Sequence, residues 1–123
     1  MDAGLSVSVE LVVSEKDTAV ALGSGDVPVL GTPRVVALVE EATVAAVAGS
    51  LDAAQTTVGT RVELDHLRPT AVGGRVTARA ELVDVDGRRL TFRVIVVEDG
   101  RDIARGRVVR AIVDRATFVS RLT

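Results

Sequence analysis

The chain has no cysteine, which removes disulfides, thiolate metal sites and a cysteine nucleophile from consideration. Aromatic residues are nearly missing. Phe92 and Phe118 are the only two, so there is no stacking platform for bases. Neither sign of charge dominates: 15 basic and 17 acidic side chains leave a formal net charge of −2. That balance argues against a nucleic-acid or other polyanion partner. His66 is the only histidine. Glu63, Asp65 and His66 make a weak metal signal, because strand neighbours point to opposite faces and no second histidine exists. No metal and no other cofactor is expected. Gly23-Ser24-Gly25 lacks the Lys-Ser/Thr that follows in a phosphate loop. Met1-Asp2-Ala3-Gly4 opens acidic, unlike a secretory leader, so a soluble cytoplasmic protein with no membrane partner is the expectation.

What is present is a single domain's worth of chain, 1–123, with enough length for a core of Val, Ala, Leu and Ile. The abundance of valine favours sheet. Residues 5–13 alternate Leu5, Val7, Val9 and Leu11 against Ser6, Ser8 and Glu10, as a half-buried strand does. Ser14 to Asp17 read as a turn and Thr18 to Leu22 as a short second strand. Gly23 to Pro28 form a polar loop, as a connector or a lid. Thr56 to Leu67, Arg75 to Val85, Arg88 to Glu98 and Ile103 to Asp114 read as four more strands. Asp86-Gly87 and Asp99-Gly100 are hairpin signals between them. Arg115 to Leu122 suit a short terminal helix.

Between the second and third of these strands lies the segment around which the rest is arranged. Thr32 to Gly49 has an N-cap in Thr32, Pro33 at the first helical position, and Gly49 on the C-cap side. Only Arg34, Glu40, Glu41 and Thr43 interrupt its apolar body. A helix apolar nearly all round must be surrounded. One antiparallel sheet wrapped around one central helix satisfies both patterns, an α+β architecture of the hotdog type. Its open edge and uncovered face predict a homodimer or a higher assembly.

Several residues stand out as chemistry-bearing. Glu40 has Val36, Ala37, Thr43 and Val44 as its helical neighbours, with no cation within a turn to pair with it. It is an edge carboxylate, a backbone-tied one, or a catalytic one. His66 shares strand parity with Val58, Thr60, Val62 and Leu64, and is a packed residue or a general base. Thr32 caps the helix, and its hydroxyl with the first-turn amides of Arg34 and Val35 makes a site for an oxyanion. Gly59 marks a bulge, or a place where a ligand approaches the backbone closely.

Taken together, these residues resemble the fluoroacetyl-CoA-type thioesterase family. The resemblance rests on Thr32, Glu40, Gly59-Thr60 and His66-x-x-Pro69-x-x-x-Gly73 in order and spacing, and is strongest from Leu30 to Leu82. It implies a catalytic set of Thr32, Glu40 and His66, with Gly59, Thr60 and Val35 beside the substrate. It also implies hydrolysis of a short acyl-CoA, or of an acyl group on a carrier protein, by a metal-free homodimer. Fluoroacetyl-specific members carry bulky aromatic residues before the central helix. Gly23-Ser24-Gly25-Asp26 has none, so the resemblance does not extend to selectivity for a fluorinated acyl group. Two other readings remain: a non-catalytic acyl-CoA or small-ligand binding module, and hydration of an enoyl thioester by Asp65 and His66.

Overall fold

The computed structural model describes Met1–Thr123. Five strands form one antiparallel sheet: β1 (Ser6–Val12), β2 (Gln55–His66), β3 (Arg75–Asp86), β4 (Arg89–Glu98) and β5 (Arg101–Asp114). Their order across the sheet is β1-β3-β4-β5-β2, which leaves β1 and β2 as the two edges. Three helices complete the chain: α1 (Ala19–Leu22), α2 (Thr32–Val47) and α3 (Arg115–Ser120). The β4–β5 connection is Asp99-Gly100, with φ of 49° and 76°. Positive φ at both central residues matches the turn to the twist of its flanking strands.

The core lies between α2 and the inner face of the sheet. Val35, Leu38, Val39, Ala42, Thr43 and Val47 are the buried residues of α2. Their spacing of three and four positions marks one helical face. They pack with Val76, Ala78, Ala80 and Leu82 of β3, Leu90, Phe92, Val94 and Val96 of β4, and Val108 of β5. Each Val, Leu or Phe among them contributes about 1.5–3 kcal/mol when fully buried. No helix is long and apolar enough to cross a membrane.

Four expectations need correction. Thr18 to Leu22 is not a strand. Thr18 accepts a hydrogen bond from the Ala21 amide on its Oγ1 at 3.2 Å and caps the single turn of α1. The chain meets its neighbour only at the isolated Thr18–Leu30 bridge. Second, α2 is covered on one face rather than all round. Ala37, Glu41, Val44 and Ala45 are exposed, and Val44 stays 46% accessible.

The third correction concerns β2. Its pairing with β5 shifts between Gly59 and Arg61, so Thr60 is an extra residue in the ladder. A bulge of this kind reverses the alternation of side chains. Thr57 and Gly59 therefore face α2 before it, and Val62 and Leu64 pack on the core after it. Val58 and Thr60 do not share the inner face with Val62 and His66, as uninterrupted alternation would require. Fourth, the N-cap of α2 is Gly31, and Thr32 is the first helical residue.

Candidate functional site

Polar side chains gather at two places along α2. The first is its N-terminus. Thr32 Oγ1 lies 2.8 Å from His66 Nδ1, a hydrogen bond that joins the start of α2 to the end of β2. The bulge at Thr60 makes this possible, because it puts His66 on the side of the sheet that faces the helix. The pair lies in a cleft of about 270 Å³, lined also by Ala19, Ser24, Gly31 and Pro69. α1 roofs that cleft closely: a Cβ on Gly31 would meet the Ala19 amide and Leu22 Cδ1 at 3.0 Å.

His66 is half-buried, and burial pushes its pKa below the ordinary 6.5, opposed only in part by the backbone of Arg68. The ring is therefore neutral near pH 7. Its Nε2 is shielded from solvent and has no hydrogen-bond partner in the chain. A buried polar atom without a partner is costly and uncommon in native structures.

The first-turn amides are arranged differently from expectation. Both Arg34 N–H and Val35 N–H donate to the Gly31 carbonyl, at 3.0 and 3.2 Å. Pro33 has no N–H to give. The Thr32 amide is the one first-turn donor left without an acceptor in the chain. Arg34 is further tied through Nε to Asp17 Oδ1 at 3.1 Å. Burial raises the Asp17 pKa, but hydrogen bonds from Ser14 and Arg34 outweigh it and hold the carboxyl below its ordinary value. That ion pair anchors the segment before α1 to the first turn of α2.

The second place is the middle of α2. Glu40 lies eight residues beyond Thr32, which is about 12 Å along the helix axis at 1.5 Å per residue. Within one chain it does not join the Thr32–His66 pair. Its Oε2 instead accepts from Arg110 Nη1 at 3.1 Å. Arg110 is 6% exposed, and Thr57 holds its other edge: Nε donates to Thr57 Oγ1 at 2.9 Å and Nη2 to the Thr57 carbonyl at 3.0 Å. Gly59 lies directly against this group. A Cβ there would sit 2.6 Å from Glu40 Oε2 and 3.3 Å from Arg110 Nη1.

Of the remaining residues singled out from sequence, Thr60 donates its hydroxyl to the Val109 carbonyl at 3.2 Å. Val35 is fully buried in the core and does not line the cleft. Arg110 and Thr57 were not anticipated. The signal for Arg110 was present: it alternates in register with Val108 and Ile112 on the apolar side of the last strand. No cluster of three or more His, Cys, Asp or Glu side chains could hold a metal ion.

A family model described as fluoroacetyl-CoA-specific thioesterase matches residues 13–116. The fluoroacetyl-CoA thioesterase of Streptantibioticus cattleyicolor is 36% identical over 90 residues, which are 73% of this chain and 65% of that protein. The match therefore spans just under two thirds of the relative's length. A solved structure of the fluoroacetyl-CoA thioesterase superposes with a TM-score of 0.93 at 30% identity, over 99% of this chain and 95% of that one. A thioesterase-superfamily protein from Thermus thermophilus superposes at 0.91 with 25% identity, over 98% and 90% of the two chains. A hot-dog-like protein from Thermanaerovibrio acidaminovorans, at 22% identity and a TM-score of 0.90, supports the fold alone. The chain belongs to the fluoroacetyl-CoA-specific thioesterase family and has the hotdog fold.

Proposed function

We propose that this protein hydrolyses a short acyl-CoA thioester to the free acid and thiol, as a homodimer. The observation that carries the proposal is the 2.8 Å contact between Thr32 Oγ1 and the ring of His66 at the start of α2. A hydroxyl held on a neutral imidazole is a nucleophile beside its base. His66 Nδ1 takes the Thr32 proton as Oγ1 attacks the thioester carbonyl. The thiolate then leaves with that proton, and an acyl-threonine remains. Water, deprotonated by His66, cleaves the ester and restores Thr32. The unspent Thr32 amide, at the positive end of α2, is the donor available to the oxyanion.

Glu40 enters through the dimer. β2 is an open edge 12 residues long, and the uncovered face of α2 beside it is largely apolar. Two β2 edges paired antiparallel about Val62 and Glu63 set Gly59 of one strand opposite His66 of the other. Glu40 of one subunit then approaches the Thr32–His66 pair of the second, where it stabilises the imidazolium. The loop at 23–28 is wholly exposed and has no aromatic residue, so the proposed substrate is a short acyl group without a stated substituent.

The test is a panel of short and branched acyl-CoAs assayed for released thiol, with the oligomeric state measured on the same sample. Turnover by a dimer, together with a mass increase on Thr32 when the reaction is quenched early, supports the mechanism. A protein that binds acyl-CoA and returns the thioester intact after long incubation is instead a binding module.

A further inference from the structure

We propose that Thr57 is a positioning residue for this reaction, acting through Arg110 on Glu40. The inference rests on the thioesterase reading above and concerns how its carboxylate is held in place.

Arginine presents Nε–H and one Nη2–H side by side along one edge of a planar fork. Here both are taken by a single residue. Thr57 supplies its side-chain oxygen to Nε and its main-chain oxygen to Nη2, at 2.9 and 3.0 Å. Two parallel bonds to one residue fix both the plane of the guanidinium and its rotation within that plane. The two N–H directions of Nη1 are then fixed, and Glu40 Oε2 lies 3.1 Å from that nitrogen. Thr57 is 9% exposed and Arg110 6%, so water does not compete for these bonds. Gly59 closes the arrangement from the sheet side, since any side chain there would collide with Glu40 Oε2.

The chain of contacts runs from a buried strand residue to the exposed end of Glu40, which is 36% accessible at its side chain. A mobile carboxylate at that exposure would sample many rotamers. A clamped arginine restricts it to one. The unit recruits two strands and a helix for this: the register sets Gly59 opposite Arg110 and Thr57 opposite Ile112. Displacement of a catalytic group by about 1 Å costs as much as 10²-fold in rate. Thr57 therefore matters for turnover although it lies beneath the site.

Thr57→Val keeps the shape and removes the hydroxyl, and Thr57→Ser keeps the hydroxyl. The expected result is a kcat lower by about 10- to 100-fold in Thr57→Val with KM within about twofold, and near-normal kcat in Thr57→Ser. Val76→Ala, a core truncation on β3 next to β1 and away from the clamp, controls for stability: it is expected to melt lower yet keep its kcat. Crystal structures of the two Thr57 variants add a readout independent of activity, with Arg110 turned and Glu40 shifted in the valine protein only. Normal kcat in Thr57→Val overturns the inference, as does equal loss in the serine variant. A loss of kcat in Val76→Ala that scales with melting temperature as it does in Thr57→Val also overturns it. Turnover by the unmodified protein with no effect of Thr57→Val overturns this inference alone; no turnover by the unmodified protein overturns the thioesterase reading with it.

Discussion

The two polar groupings on α2 are opposites in construction. At the N-terminus, Thr32 is exposed, one hydrogen bond joins it to His66, and His66 Nε2 has no partner. At mid-helix, Arg110 is buried and makes three hydrogen bonds, each to a different acceptor atom. The first grouping is under-determined and the second is over-determined. A group that moves protons needs unsatisfied valence and an open approach, whereas a group that holds a charge in position needs neither. The difference implies that activity and stability are distributed unevenly along one helix, and that substitutions at its two ends of function separate them.

The largest separation is expected from His66→Ala set beside Arg110→Ala. Loss of a general base lowers rates by about 10²- to 10⁴-fold. The His66 ring makes a single hydrogen bond at a half-buried site, so its removal is expected to leave the denaturant midpoint nearly unchanged. Arg110→Ala removes one partner of a largely buried pair, which costs about 3 kcal/mol, at the low end because Glu40 is partly open to water. That loss appears as a lower urea midpoint with unchanged slope. If His66→Ala unfolds as readily as Arg110→Ala, the contrast between the two groupings is wrong.

Gly59→Ala tests the same contrast with a smaller effect. The added Cβ meets Glu40 Oε2 at 2.6 Å, and that atom is the free end of a side chain that can swing away. Stability is then expected to fall by about 1–2 kcal/mol, less than in Arg110→Ala because the guanidinium keeps both bonds to Thr57 while losing its carboxylate. Turnover is expected to fall by about tenfold, since the carboxylate leaves its arginine. A variant that loses stability but keeps full kcat/KM would assign Gly59 to packing only.

Much of this arrangement is legible in the sequence, and the reasons for the rest are physical. β1, β3 and β4 follow from alternation, β5 from the Asp99-Gly100 turn that precedes it, and α2 from Pro33 and its apolar body. α1 was hidden because four residues are fewer than two turns, too few to show a helical period, while Thr18 and Val20 favour strand locally. The pairing of Glu40 was hidden for another reason. A search within one helical turn cannot find Arg110, which is 70 residues away and reaches Glu40 only through sheet register. The parity of β2 fails at Thr60 because a bulge adds a residue without changing the hydrophobic pattern around it. Thr32 was legible as a site residue but not as the partner of His66. That contact depends on the same bulge and on α2 crossing the end of β2.

The smallest effect expected is in pH dependence, and it carries the contrast into solution. Burial lowers the His66 pKa below 6.5, so the proposed base is largely unprotonated at neutral pH. The acid limb of kcat/KM is therefore expected to have its midpoint below 6.5, and that limb should vanish in the residual activity of His66→Gln. Stability has the same sign. Folded His66 binds its proton less tightly than the unfolded chain does, so the unfolded state holds more protons between the lowered pKa and 6.5. Its contribution is complete above that window and is lost as pH falls through it. Asp17 and Asp114, both held below 3.8 by hydrogen bonds, lose their contributions only in more acid solution. Two separate steps are thus expected on acidification: a minor one below pH 6.5 that also lowers activity, and a later one below 3.8 that is purely structural. The expected midpoint supposes that burial of the ring outweighs the approach of the partner's Glu40; an activity limb at or above 6.5 would mean that the carboxylate outweighs burial.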